Sequence, residues 1–438
     1  MRSPSITATI VALSLQIASA WHVFGQAADR PNIVLIMADD LGYECIGANG
    51  STSYQTPHLD RLAATGMRFE HCHVQPLCTP TRVQLMTGLY NQRNYLRFGL
   101  LDPEAITFAH LLQQAGYATC VVGKWQLQGG YAGPGHFGFD EYCLWQLNRR
   151  PSRYANPGLE INGRQVDYDR GEYGPDLVSD YLCDFIDRHR DKPFLAYYPM
   201  ILPHSPYEPT PDSQQWDPTV KGVRSEIGNP RFFADMVAYC DKIVGKIVAK
   251  LDETGLRERT LVIFLGDNGT GPDVVSRMGN REVRGGKGRT IDAGTHVPLI
   301  VNWSGRIPAG RVCSDLVDST DFFPTLVAAA GIREPREPLR DGRSFLPQLL
   351  GEPGQPRPWI YSWYSRNGGP HAVELARNHR FKLYRGGGLF DVVADPQETR
   401  PLTGASLSTE ARQARELLQA ALDQYQGTGR AAIKPKKR

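Results

Sequence analysis

Residues 32–37 (NIVLIM) form a continuous apolar run that ends in Ala38-Asp39-Asp40. Unbroken hydrophobicity of this length predicts a strand covered on both faces, as in the middle of a parallel sheet. Residues 260–265 (TLVIFL) repeat the pattern and run into Gly266-Asp267-Asn268-Gly269. Residues 118–122 (ATCVV) and 194–198 (FLAYY) read as two further strands. Just before the TLVIFL run, Ile243, Ile247 and Leu251 recur at the spacing of one helix face. Strands alternating with helices predict an α/β fold, a large mostly parallel sheet wrapped by helices. Ligands collect at the C-terminal ends of such strands. The acids that end two of the runs are therefore expected to share one site.

The pattern changes after residues 351–358 (GEPGQPRP), a linker by composition. Short strands are expected at 360–363 and 381–384, with a turn at Gly386-Gly387-Gly388. A helix is expected over 409–425, with Ser408 as its N-cap. This divides the chain into a main domain over 28–350 and a small α+β subdomain over 351–430, an antiparallel sheet plus a helix. A basic tail follows over 431–438. At the other end, Arg2, the apolar stretch 6–17 and the small residues Ala18-Ser19-Ala20 read as a signal peptide over 1–27. Cleavage is expected after residue 20 or 27, giving an exported (periplasmic or extracellular) protein. The run is too short and too rich in Ser and Thr for a stable membrane anchor, and no other segment approaches about 18 consecutive apolar residues.

Composition narrows the function classes. The 438 residues include 49 Lys and Arg against 46 Asp and Glu, a formal charge of +3 that argues against a nucleic-acid partner. Eight cysteines are scattered along the chain with no C-x-x-C pair, which excludes a disulfide-dense scaffold and a cysteine zinc site.

The sharpest chemical signal is Cys78-Thr79-Pro80-Thr81-Arg82-Val83-Gln84-Leu85-Met86-Thr87-Gly88. Pro80 suits the first turn of a helix, where its missing N–H costs nothing. Cys78 would then lie beside a helix N-terminus, a natural place for an anion. A lone cysteine is more often an inert buried residue, but the C-x-P-x-R…L-x-T-G pattern is far more specific.

On these residues the sequence resembles the type I sulfatases, the formylglycine-dependent branch of the alkaline phosphatase superfamily. The resemblance runs from Pro31 to about Leu402. It implies that Cys78 is oxidised during export to formylglycine by a dedicated generating machinery, and that Arg82 holds the modified residue. It places Asp39-Asp40 and Asp267-Asn268 at the two pairs of metal ligands, with the modified Cys78 completing the shell. Four hard oxygen side chains suit Ca²⁺, less comfortably Mg²⁺, and do not suit zinc. Gly123-Lys124-Trp125 and Gly285-Gly286-Lys287-Gly288 match the segments that supply sulfate-binding lysines. With a divalent ion, Lys124, Lys287 and Arg82 outweigh three aspartates by about two charges, a surplus that favours an anion. Pro203-His204-Ser205-Pro206 resembles the family's H-x-P segment, making His204 the candidate acid for the leaving alcohol. His136, Asp321-Phe322-Phe323-Pro324 and the 390–398 segment (FDVVADPQE) match family segments without a chemical role.

Two positions depart from the family. Gln126 stands where the family commonly has the histidine of G-K-W-H, and an amide donates and accepts hydrogen bonds but does not titrate. His296 stands where many relatives have arginine, and has no assigned role. The resemblance implies a sulfatase acting on a sulfated small molecule or glycan. Two alternatives remain at this point: a phosphonate or phosphate monoester hydrolase of the same superfamily, and a catalytically weak binder of sulfated glycans, which the loss of the histidine at 126 keeps open.

Overall fold

Along β1 (Asn32–Ala38) alternate side chains enter two different cores. Val34, Ile36 and Ala38 pack on one side, and Ile33, Leu35 and Met37 on the other, all fully buried. In β8 (Thr260–Gly266) the same division separates Val262 and Phe264 from Leu261, Ile263 and Leu265. The unbroken apolar runs are thus period-two patterns in which both faces are covered. The computed structural model describes residues 30–222, 228–335, 338–404 and 407–429. The expected signal peptide and the basic tail lie outside the described residues.

The main sheet also contains β2 (Met67–His73), β3 (Ala118–Lys124), β4 (Glu141–Trp145), β5 (Gly158–Ile161) and β6 (Arg164–Asp167). It is completed by β7 (Phe194–Pro199), β11 (His296–Asn302) and β12 (Arg311–Asp318). The order is β12-β2-β11-β8-β1-β7-β3-β4-β5-β6. The centre, β8-β1-β7-β3-β4, is parallel throughout. β11 runs antiparallel to both neighbours, and β5 does the same between β4 and β6, so the sheet is mixed. β11 is hard to read because Pro298 interrupts its apolar run, and Pro disfavours central strands. The structure accommodates it where the β11–β2 register shifts between Val297 and Leu299.

Helices cover both faces. Phe233–Glu253 buries Met236, Cys240, Ile243, Ile247 and Leu251 against one core, the expected helical stripe. A hairpin of β9 (Val275–Met278) and β10 (Arg281–Arg284) lies apart from the main sheet. The C-terminal sheet is antiparallel, in the order β13 (Ile360–Tyr364), β14 (Val373–Arg377), β15 (Phe381–Tyr384) and β16 (Leu389–Asp391). The helix Thr409–Gln424 packs on it, capped by Ser408, whose hydroxyl accepts from Ala411 N–H at 3.1 Å. The expected linker is pinned at Arg357, buried and paired with Asp321 of the main domain. Among the described residues, no helix is long and apolar enough to cross a membrane.

Candidate active site

Four parallel strands deliver their C-terminal ends to one edge of the sheet. Ala38 of β1 pairs with Gly266 of β8, so Asp39 and Asp267 leave the sheet side by side. Asp40 N–H donates to Asp267 Oδ1 at 3.0 Å, and Asn268 Nδ2 donates to Asp40 Oδ1 at 2.8 Å. Asp40 has φ 64°, a left-handed conformation that Asp tolerates better than most residues. Lys124 ends β3, and its ammonium bonds Asp39 Oδ2 at 2.6 Å. His204 follows β7, and its Nε2 lies 3.6 Å from Asp40 Oδ2.

Cys78 is the first residue of the helix Cys78–Thr87, which is buried along its whole length. Pro80 falls in its first turn, where no N–H is needed. Gly88 ends the helix at φ 67°, its N–H donating to Gln84 O at 2.8 Å, which accounts for the final Gly of the motif. One turn on from Cys78, Arg82 donates to Lys124 O at 2.6 Å and to Asp267 Oδ2 at 3.2 Å. The helix is thereby fastened to β3 and β8. Cys78 Sγ donates to Gln126 Oε1 at 3.0 Å, and ligand atoms of Cys78, Asp39 and Asp267 all lie within 4.8 Å of one another. Gln126 too is left-handed, at φ 54°. Strained non-glycine backbone of this kind clusters at functional sites.

Lys287 reaches the site from a glycine-rich loop. A side chain at Gly285 would place its Cβ 2.0 Å from Gly271 O, so only glycine permits the approach. Lys287 Nζ bonds Asp40 Oδ2 at 2.6 Å and lies 3.0 Å from His204 Nε2. The structure thus brings Asp39, Asp40, Cys78, Arg82, Lys124, Gln126, His204, Asp267, Asn268 and Lys287 into one network. His136 lies elsewhere, with its Nε2 2.7 Å from Pro103 O. His296 is placed in a separate cluster.

Burial opposes ionisation of Asp39 and Asp40, but Lys124, His204, Arg82 and Lys287 at Asp39, and His204, Lys287 and Lys124 at Asp40, outweigh it and hold both carboxyls below the usual range. Asp267 is pushed up by burial and by Asp39, with which it shares the Arg82 guanidinium. Burial also raises the Cys78 thiol, so it is protonated at neutral pH. An inert protonated thiol is a poor nucleophile as it stands.

The site fits a hard cation. Asp39 Oδ1 and Asn268 Oδ1 are buried acceptors with no hydrogen-bond partner among the described residues. Two orphaned acceptors among three carboxylates make an all-oxygen donor set, suited to Ca²⁺ or Mg²⁺.

Arg153 carries no sequence signal, yet it is buried, 51 residues from its partner His204. Its Nη1 lies 3.0 Å from His204 Nδ1 and donates to Ser205 O at 2.8 Å. Its guanidinium sits 4.1 Å above the Trp145 ring. Thr79 is the other unforeseen member, with its hydroxyl 3.4 Å from Gln126 Oε1.

Comparison with known proteins identifies the family. The sulfatase family model matches residues 31–332, and the model for the N-sulphoglucosamine sulphohydrolase C-terminal region matches 287–426. Arylsulfatase A of Homo sapiens is 33% identical, over 84% of this chain and 78% of its own length. N-acetylgalactosamine-6-sulfatase of Canis lupus familiaris is 32% identical, over 82% of this chain and 73% of its own. Among solved structures, Ps i-CgsB superposes with a TM-score of 0.75 at 26% identity, covering 90% of this chain and 92% of that one. The chain belongs to the sulfatase family, enzymes that hydrolyse sulfuric esters.

Proposed function

We propose that the protein is an exported sulfatase acting on carbohydrate sulfate esters, with Cys78 oxidised to formylglycine and one Ca²⁺ (or Mg²⁺) ion as cofactor. The observation that carries this reading is the position of Cys78, at the buried start of a helix and clustered with Asp39 and Asp267. The carbohydrate class is supported by the relatives. One is an N-acetylgalactosamine-6-sulfatase, and Ps i-CgsB has been solved in complex with k-i-k-neocarrahexaose. Export through the expected signal peptide would expose the chain to the formylglycine-generating machinery.

Asp39, Asp40, Asp267 and Asn268 would hold the ion, which supplies Lewis-acid charge to the sulfate oxygens. Oxidised and hydrated, Cys78 offers a geminal hydroxyl as nucleophile in place of an inert thiol. Gln126, at hydrogen-bond distance from this side chain, fixes its orientation. Lys124 and Lys287 now neutralise Asp39 and Asp40. With a cation taking over those carboxylates, both ammonium groups are available to the developing charge on the sulfuryl oxygens. Arg82 stays in place, tying the nucleophile's helix to β3 and β8. His204, with Nε2 facing the same space and Nδ1 beside Arg153, protonates the leaving alcohol.

Mass spectrometry of the peptide containing Cys78, from protein exported by a host with the modifying machinery, tests the nucleophile. Formylglycine is expected, and Cys78→Ala is expected to abolish sulfate release. An unmodified thiol in active enzyme would overturn the mechanism. Faster turnover of phosphate or phosphonate monoesters than of sulfate esters would overturn the substrate class.

A further inference from the structure

His71 and His73 lie two residues apart on β2, so their side chains leave the same face of the strand. His296 opens β11, and its partner across the antiparallel pair is His73. The three rings stack, with centroids 4.7 Å apart for His73 and His296 and 6.1 Å for His71 and His296. One ligating atom from each of the three lies within 4.8 Å of the other two. His379 of the C-terminal subdomain packs edge-on against His71 at 4.9 Å. None of these residues takes part in the Cys78 network.

The hydrogen bonds assign the ring nitrogens. His296 Nε2 lies 2.8 Å from Glu70 O, which can only accept, so Nε2 carries the hydrogen and Nδ1 keeps its lone pair. His73 Nδ1 lies 3.2 Å from Arg377 Nη1, which can only donate, so the hydrogen of His73 is on Nε2. That Nε2 has no hydrogen-bond partner among the described residues, although His73 is only 3% exposed. A buried N–H left unmatched in this way calls for an acceptor, so His73 offers a metal ligand at Nε2 only in its other tautomer. Burial pushes His71 and His296 down to about 4 and His73 well below its ordinary value, so all three are neutral ligands near pH 7. The neighbouring cations are compensated. Arg377 and Lys382 bond Asp292 at 2.6 and 3.2 Å, and Lys382 also bonds Glu398 at 2.5 Å. A cavity of about 80 Å³ bounded by Tyr43, Glu44, Asp292 and His296 adjoins the cluster.

We propose that His71, His73 and His296 form a second metal site, distinct from the oxygen-lined catalytic centre, that takes a transition-metal ion such as Zn²⁺ or Cu²⁺. Imidazole donors suit these ions, whereas Ca²⁺ and Mg²⁺ require oxygen. Binding through His73 Nε2 moves its hydrogen to Nδ1, with no net proton release; Arg377 Nη1 then gives up its bond to that nitrogen and keeps the one to Asp292 Oδ1. The bound ion would tie β2 to β11 beside the C-terminal subdomain. This inference stands apart from the proposed catalytic mechanism.

The test uses untagged, chelator-treated full-length protein, titrated calorimetrically with Zn²⁺ in the presence of saturating Ca²⁺. One Zn²⁺ site of micromolar affinity or better is expected, and electron paramagnetic resonance with Cu²⁺ in its place should show nitrogen ligands. His296→Arg is expected to weaken Zn²⁺ binding at least about tenfold, a loss that even an outer-shell partner can cause. The half-exposed His71→Gln gives the same readout should His296→Arg fold poorly. Sulfate release should be unchanged in both variants. The proposal fails if wild-type protein binds no Zn²⁺ below millimolar concentration, or if both variants bind it as tightly as wild type. It also fails if Asp39→Asn, rather than the histidine variants, removes the site.

Discussion

Gln126 Oε1 accepts a hydrogen bond from Cys78 Sγ at 3.0 Å, from a backbone held at φ 54°. An amide therefore occupies the place next to Cys78 where the family resemblance implies an imidazole. It can accept from, or donate to, whatever replaces the thiol hydrogen after oxidation. Gln126→Ala removes this bond and is expected to lower kcat by about ten- to a hundredfold, equivalent to about 1–3 kcal/mol, with a smaller effect on KM. Gln126→His restores a titrating group, so its pH–rate profile should show one more ionisation than the wild type. Steady-state kinetics across pH on one sulfate ester measures both. Wild-type rates in both variants would remove Gln126 from the mechanism.

The contrast between this residue and Arg153 shows what the sequence makes legible. Cys78 and Arg82 lie on one helix that Gly88 ends, so their roles appear as spacing within eleven residues. Asp39 and Asp267 are legible because each ends an apolar run, and parallel pairing of β1 with β8 then brings them together. Arg153 has neither signal. It lies in an irregular loop and meets His204 only through the fold. The pairing of each lysine with its own carboxylate, Lys124 with Asp39 and Lys287 with Asp40, is equally nonlocal. The antiparallel β11 escaped because Pro298 breaks its run, and the His73–His296 pairing depends on that strand's register.

Those lysine–carboxylate pairs change the expected consequence of metal loss. Three aspartates crowded without an ion would, by themselves, repel and destabilise the fold. In the structure Arg82, Lys124 and Lys287 already balance Asp39, Asp40 and Asp267. Chelation is therefore expected to abolish sulfate release with only a small fall in Tm. Lys124→Ala should cost more, about 3–5 kcal/mol, because it leaves the buried Asp39 only a share of the more distant Arg82 guanidinium. Elemental analysis, assay and thermal unfolding on the same samples would check this. Full activity in protein shown to contain no divalent metal would refute the assignment of Asp39, Asp40, Asp267 and Asn268.

Arg357 fastens the C-terminal subdomain to the main domain through Asp321. Both are buried, and the guanidinium also donates to Tyr90 Oη at 2.9 Å and to Thr320 Oγ1 at 3.1 Å. Removing one partner of a buried pair leaves the other uncompensated, so Asp321→Ala should destabilise the protein by about 3–5 kcal/mol. Denaturant unfolding would measure it. Because neither residue touches the Cys78 network, KM of the folded variant should stay at the wild-type value. A loss under about 1 kcal/mol would mean the pair is a surface-like contact.

His204 offers the most discriminating test of proton transfer. Burial lowers its imidazole to about 4; Asp40 and Asp39 oppose the shift, and Lys287 and Lys124 reinforce it. The protonated form is what donates to a leaving alcohol, so its population falls as pH rises through the folded value. Poor leaving groups, such as sugar hydroxyls, depend on that proton, whereas a nitrophenolate departs without one. His204→Gln should therefore lower kcat by about a hundredfold or more on a sugar sulfate and by much less on an aryl sulfate. For wild type on the sugar sulfate, kcat should decline toward alkaline pH more steeply than on the aryl substrate. Equal losses on both substrates would reassign His204 to binding the sulfate through Nε2, alongside Lys287 at 3.0 Å, and leave the leaving group without an acid from this chain.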